Sequence, residues 1–209
     1  MMELFLAVSA SLFSVVNPIG AIPVFLSMTT EDSFHERKSS ALHTAIYFAL
    51  ILLAFYFAGN VILSFFGVSL NALRIAGGLV ILNSGYSLLS GQIAKGRAVD
   101  KEVRAEAMAK EDISFAPMAM PMLSGPGSIS YLISLYGEYP DSNSRLVIAG
   151  VIVFLALIIF IMLRFSPMLF EKLGVTGIKA ISRIMGFIVM AIGIQFIIIG
   201  IVDLVKSIL

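Results

Sequence analysis

Apolar residues run along this chain in long blocks, and the polar positions between them are few and clustered. A helix needs about 20 mostly apolar residues to cross a hydrocarbon core. Six blocks reach that length: 4–28, 41–66, 70–90, 113–136, 146–165 and 180–205. The pattern predicts an all-α membrane protein with six transmembrane helices. Between the first two blocks, Ser33 and Glu36 have capping-box spacing and predict a short interfacial helix leading into the second span. Between the third and fourth, residues 91–112 form the one long hydrophilic stretch, with charges at helical spacing. It is expected to be a solvated helical connector.

Two blocks contain residues that a helix does not tolerate well. The first carries Asn17-Pro18-Ile19-Gly20 and then Pro23. Proline inside a helix lacks the N–H that bonds four residues back and costs about 3 kcal/mol, and glycine costs about 1 kcal/mol relative to alanine. On this reading Pro18 frees the carbonyl of Ser14, and Pro23 that of Ile19. The fourth block carries Pro121 and then Leu123-Ser124-Gly125-Pro126-Gly127-Ser128, where Pro126 frees the carbonyl of Met122 and Pro121 that of Pro117. Either break alone reads as an ordinary proline kink; the pair, at matching places in two halves, reads as a site.

The halves do match. Gly67-Val68-Ser69 is echoed by Gly174-Val175-Thr176, Arg74-Ile75-Ala76-Gly77 by Arg183-Ile184-Met185-Gly186, and the Asn17 break falls on the Ser124 break. The order is the same and the offset nearly constant. Each unit holds three spans, an odd number, so successive units enter the membrane from opposite sides. The expected organisation is a first three-helix repeat at 1–90, the connector at 91–112 and a second, inverted repeat at 113–209, as in many secondary transporters. Arg74 and Arg183 would then lie near opposite membrane surfaces, either snorkelling or forming gate ion pairs.

Charge sets an orientation. Arg37, Lys38, Lys95, Arg97, Lys101, Arg104, Lys110, Arg164, Lys172 and Lys179 lie on one side of the six-span arrangement, against Arg145 and Lys206 on the other. By the positive-inside rule both termini are extracytoplasmic and the 91–112 connector cytoplasmic. The opening residues carry Glu3 rather than a basic n-region, so the first block is expected to be kept as a span.

Composition narrows the function. The chain is 59% hydrophobic and 13% charged, whereas roughly a quarter of an ordinary soluble domain is charged. A net charge of +1 makes no case for nucleic acid, and the partner implied by composition is the lipid bilayer. There is no cysteine, and His35 and His43 are the only imidazoles, so neither a metal site nor a cofactor is expected. Glu3, Glu138, Asp141, Glu171 and Asp203 fall at span ends or in loops, which leaves no mid-span carboxylate for a proton relay. Walker and metalloprotease motifs are absent, as is a nucleophile–base pair within the membrane, so an ATP-driven pump or an enzyme is not expected.

A helix interrupted at mid-membrane exposes free N–H groups, which attract a carboxylate, and free carbonyls, which suit an ammonium. A zwitterion fits such ends without a charged side chain. The candidate substrate-binding residues are Asn17, Ile19, Gly20, Ser124, Gly125, Gly127 and Ser128, with a further hydroxyl at Ser130. Pro18, Pro23, Pro121 and Pro126 hold the breaks open. Asn83 and Gln195, near the middle of their spans, are secondary candidates with Arg74 and Arg183. The glycines of Gly77-Gly78 and of Gly186, Gly193 and Gly200 read as close-packing surfaces.

The NPIGAIPVF and MPMLSGPGSIS segments and the RIxG repeats resemble the MarC/SnatA family of bacterial and archaeal inner-membrane proteins, itself similar in topology to LysE-type exporters. The resemblance covers essentially the whole chain. It implies a plasma-membrane transporter of small neutral amino acids such as glycine and alanine. Export of hydrophobic drugs and passive conduction of small solutes stand as alternatives, and a homo-oligomer is compatible with the sequence.

Overall fold

The computed structural model describes residues 1–90 and 113–208, and no strand occurs among them. The helices are α1 (Met2–Val16), α2 (Pro18–Met28), α3 (Phe34–Phe65), α4 (Leu70–Leu89), α5 (Pro126–Glu138), α6 (Ser142–Arg164) and α7 (Ser166–Ile208). Four of them, α3, α4, α6 and α7, are long and apolar enough to cross a membrane. Together α1 and α2 make a fifth candidate span, bent by 42° at Asn17.

The expected span at 113–136 is not one helix. Its first half, Ser114–Leu123, coils in wide turns interrupted by extended backbone at Ala116 and Met120, and only Pro126–Glu138 is regular. Three prolines in ten residues, at 117, 121 and 126, remove the N–H groups an α-helix would need there. Thirteen residues of α5 rise about 20 Å, short of the ~30 Å hydrocarbon thickness. The structure therefore carries four to five continuous or bent spans where the hydropathy blocks suggest six.

No separate interfacial helix precedes α3. The Ser33 and Glu36 capping box forms, with the Glu36 N–H donating to Ser33 Oγ at 3.3 Å and the Ser33 N–H to Glu36 Oε2 at 2.8 Å. It starts a single helix of 32 residues. The connector expected at 91–112 lies outside the described residues.

Gly67 and Gly174, matched in sequence, share a left-handed backbone with φ of 64° and 62°. A Cβ at either would meet nothing within 4 Å, so glycine serves conformation there, not space. Each turns the chain into a helix: α4 begins after Gly67, capped by Ser69, and the long part of α7 begins after Gly174.

The core joins α1, α2, α3, α5 and α6 through fully buried Leu12, Phe25, Phe48, Leu52, Leu132 and Ile148. Beside it α4 and α7 pack as an antiparallel pair at very short range. A Cβ on Gly78 would lie 2.7 Å from the carbonyl oxygen of Gly193, and one on Gly85 would lie 2.6 Å from the amide nitrogen of Met190. Facing them, a Cβ on Gly186 would lie 2.8 Å from the Gly85 oxygen, and one on Gly193 would lie 2.6 Å from the Leu82 nitrogen. The close-packing role expected of Gly78, Gly186 and Gly193 is thus met, backbone against backbone. Gly77 packs elsewhere, against Ser130 of α5.

Candidate substrate site at two helix breaks

The two breaks are not kinks within helices. In each, one run of helical turns stops and a new helix starts with proline at its first position, Pro18 in α2 and Pro126 in α5. There the missing N–H costs nothing, because the first four N–H groups of a helix have no helical partner anyway. From sequence alone these prolines are expected to free carbonyls within a continuing helix; the structure uses Pro18 and Pro126 to begin one. Pro23 does lie inside α2, and Pro121 lies in the irregular 114–123 segment.

Asn17 is the hinge of the first break. Its backbone is left-handed (φ 48°, ψ 64°), and its N–H caps α1 by donating to the Phe13 oxygen at 2.9 Å. Asparagine tolerates this region better than any residue with a bulkier side chain, which accounts for its place between two helices. Its side chain is buried, 1% exposed, and neither Nδ2 nor Oδ1 has a hydrogen-bond partner. Gly20 makes room for that amide: a Cβ there would lie 2.6 Å from Asn17 Nδ2.

At the second break the Ser124 hydroxyl is likewise fully buried and unpartnered. Ser128, one turn on, donates to the Gly125 oxygen at 2.9 Å and so satisfies a carbonyl of the break. Gly127 lies where a Cβ would be 3.0 Å from Ile81 Cγ1 and 3.8 Å from Val15 Cγ1. The end of α1 and the start of α5 therefore meet, with Ile81 of α4 between them, and α2 packs on the 114–123 segment. A buried polar atom without a partner costs about 1–3 kcal/mol. Other orphans exist, among them Ser9, Thr44 and Tyr56. Asn17, Ser124 and Ser166 all stand at helix starts, where orphan N–H groups converge; Asn17 and Ser124 are set apart because their two helix starts lie together, Val15 beside Gly127.

Placement of the remaining candidates is uneven. Ile19 is half-buried in the first turn of α2, and Ser130 is buried against Gly77. Asn83 is exposed on α4, two residues beyond Ile81. Gln195 is exposed on α7 and lines a cavity of about 230 Å³ between α1, α5 and α7. The two arginines part company. Arg183 is exposed, while Arg74 is buried, pairing with Asp203 at 2.7 Å and Glu138 at 3.5 Å and donating from Nε to Ser134 Oγ at 2.7 Å. The pairing of Arg74 with Ser134, Glu138 and Asp203 is not visible in the sequence, because both carboxylates sit near helix ends far apart in the chain. The one available signal was an arginine inside an apolar block, which demands a counter-charge.

With helices and no strand among the described residues, four to five candidate spans there, interrupted helices and a buried ion-paired arginine, this is a multi-pass integral membrane protein. It belongs to the MarC family of integral membrane proteins, whose family model matches residues 2–205. It is 40% identical to a UPF0056 membrane protein of Buchnera aphidicola subsp. Schizaphis graminum, over 95% of this chain and 92% of that one. It is 37% identical to the UPF0056 membrane protein YhcE of Escherichia coli K12, over 91% and 88%. With the UPF0056 inner membrane protein MarC of Salmonella typhimurium it shares 34% identity over 99% of both chains. No solved structure matches.

Proposed function

We propose that this protein is a secondary transporter of the inner membrane that carries small neutral amino acids by alternating access, binding them between the two helix breaks. The observation that carries the proposal is the buried, unpartnered amide of Asn17 beside the helix start at Pro18, close to the second start at Pro126 with its own unpartnered Ser124 hydroxyl. Helix N-termini favour a carboxylate. The orphan Asn17 oxygen and the carbonyls that end the preceding segments suit an ammonium. The room left by Gly20 and Gly127 is filled by the Asn17 amide and the Ile81 side chain, so the space there is small. A site so confined favours a small solute over a hydrophobic drug.

The inverted-repeat architecture, with the interrupted 113–136 stretch counted as a sixth span, belongs to the same proposal. It draws support from the matched left-handed glycines at 67 and 174 and from the matched proline starts at 18 and 126. Orientation follows the lysine and arginine count, with the end that holds Arg74, Glu138 and Asp203 facing outward.

Proteoliposomes test the reading. Purified protein should give saturable uptake of radiolabelled glycine or alanine, accelerated by unlabelled substrate inside the vesicle. Uptake without this trans-stimulation would indicate a pore, and no saturable flux would remove amino acids as substrates. Asn17→Gly is the sharpest variant: glycine keeps the left-handed hinge and removes only the amide. Its melting profile should match the parent while transport falls severely.

A further inference from the structure

The cavity between α1, α5 and α7 is lined by one face of each of the two broken helices. On α1 these are Leu4, Val8 and Ser11; on α5, Glu138, Leu135 and Tyr131. Steps of three and four residues place each set on a single helical stripe. Continue either stripe by one more step and it arrives at Val15 on α1 and Gly127 on α5. These are the residues that approach each other at the breaks. The cavity and the candidate site are thus consecutive parts of one seam, separated by about one helical turn, roughly 5.4 Å.

Tyr131 stands at that separation. It is 6% exposed, its ring lies 5.2 Å from that of Phe196, and its hydroxyl lies beside the Ser11 side chain. At the C-terminal end of α5 the cavity reaches Glu138. Glu138 and Asp203 share the single guanidinium of Arg74, so these three groups carry one net negative charge, and the Glu138 carboxylate is 46% exposed; Arg145 is the neighbouring cation, donating to the Tyr136 and Tyr139 oxygens. A cavity with apolar walls and a carboxylate at its mouth favours an ammonium group carried on a small body.

We propose that this cavity is the outer vestibule of the transport path, that Glu138 draws the substrate ammonium into it, and that the Tyr131–Phe196 pair is the thin gate between vestibule and site. The proposal rests on the transporter reading above. It makes Tyr131 a gating residue, and it gives a role to the cavity that Gln195 lines.

The absence of cysteine from the chain permits a direct test by single-cysteine labelling. Ser11→Cys and Val15→Cys are each treated, in right-side-out and in inside-out membrane vesicles, with a cationic, membrane-impermeant methanethiosulfonate. Ser11→Cys should react from the outside and be spared in inside-out vesicles. Val15→Cys should react slowly from the outside, and adding Tyr131→Ala should speed that reaction by an order of magnitude or more. Tyr131→Phe, which keeps the ring, should leave it slow. At Ser11→Cys the cationic reagent should outpace its anionic counterpart, and Glu138→Gln should abolish that preference. An unreactive Ser11→Cys, labelling only from the inside, or a Val15→Cys rate indifferent to Tyr131→Ala would each overturn the vestibule. A size-exclusion profile matching the parent admits each variant to the comparison. Labelling needs no transported substrate, so an intact pattern without glycine or alanine flux would discard the substrate reading and leave the path standing.

Discussion

Glycine does opposite work in two regions of this protein. Along the α4–α7 seam, Gly78, Gly85, Gly186 and Gly193 let two backbones touch, and any added Cβ would strike main-chain atoms of the other helix. At the helix breaks, a Cβ on Gly20 would strike the end of the Asn17 side chain, and one on Gly127 the Ile81 side chain. Main chain in a helix cannot move aside without carrying the helix with it, whereas a side chain can rotate. The seam is therefore a rigid brace, and the breaks are a yielding region that holds unpaired polar groups. The carrier proposed above would use both: one part to stay put, and another whose unsatisfied groups await a ligand.

The largest test of this contrast is Gly193→Ala. Its Cβ meets the Leu82 nitrogen at 2.6 Å and the Gly78 oxygen at 2.8 Å, so the seam must open. Overpacking of about 3 kcal/mol, the upper part of the usual range, should show as a markedly lower melting temperature or as loss of the monodisperse peak in detergent. Unchanged melting would mean the two helices are not held as described.

Arg74→Ala comes next. It removes the tie between α4, α5 and α7 and leaves Glu138 and Asp203 without a counter-charge. Breaking a fully buried pair costs 3–5 kcal/mol. Here the carboxylates are 46% and 40% exposed, and partial solvation lowers the expected loss to about 2 kcal/mol. Lysine, which lacks the guanidinium fork, should restore stability only in part.

Asp141 offers a control outside both regions. The Ser144 N–H donates to its carboxylate at 2.8 Å at the start of α6, and this holds its pKa below the ordinary value of 3.8. A depressed pKa contributes stability above the unfolded value that is lost as pH falls through the folded one. Asp141→Asn should therefore lower the melting temperature slightly at neutral pH and make no difference well below pH 3.8. A difference persisting at that acidity would assign the cap to something other than charge.

The smallest effect on stability belongs to Gly20→Ala. Only the Asn17 amide must turn away, and alanine gains helix propensity of about 1 kcal/mol. The melt should be equal or slightly higher, while transport falls because the amide no longer points where glycine had let it lie. A variant that transports normally would detach Asn17 from the site.

Much of this arrangement was legible along the chain. Apolar blocks disclosed the membrane class, because hydrocarbon admits no other kind of long segment. The NPIG and SGPG runs disclosed the breaks, because proline and glycine act locally whatever surrounds them. Gly78, Gly186 and Gly193 were read correctly as packing surfaces from spacing alone. What the blocks overstated was continuity: 113–136 is apolar enough to span, yet Pro117, Pro121 and Pro126 leave a helix of only thirteen residues at its end. Hydropathy measures solvent preference and is blind to backbone conformation.

The arginines show the other limit. Arg74 and Arg183 occupy equivalent words in the sequence, yet one is buried among two carboxylates and the other is exposed. No local pattern separates them. The partners of Arg74 lie 64 and 129 residues further along, at Glu138 and Asp203, and only folding brings them to one end of the bundle. By itself the sequence determined the solvent this protein lives in, the places where its helices break and the residues small enough to let helices touch. These follow from properties each residue carries with it. The tertiary structure alone decided that the two breaks meet, that the Asn17 amide is left without a partner and that one arginine of the two is latched. Those depend on which distant surfaces share a space, and burial, which makes an unpaired amide costly, exists only once the chain has folded.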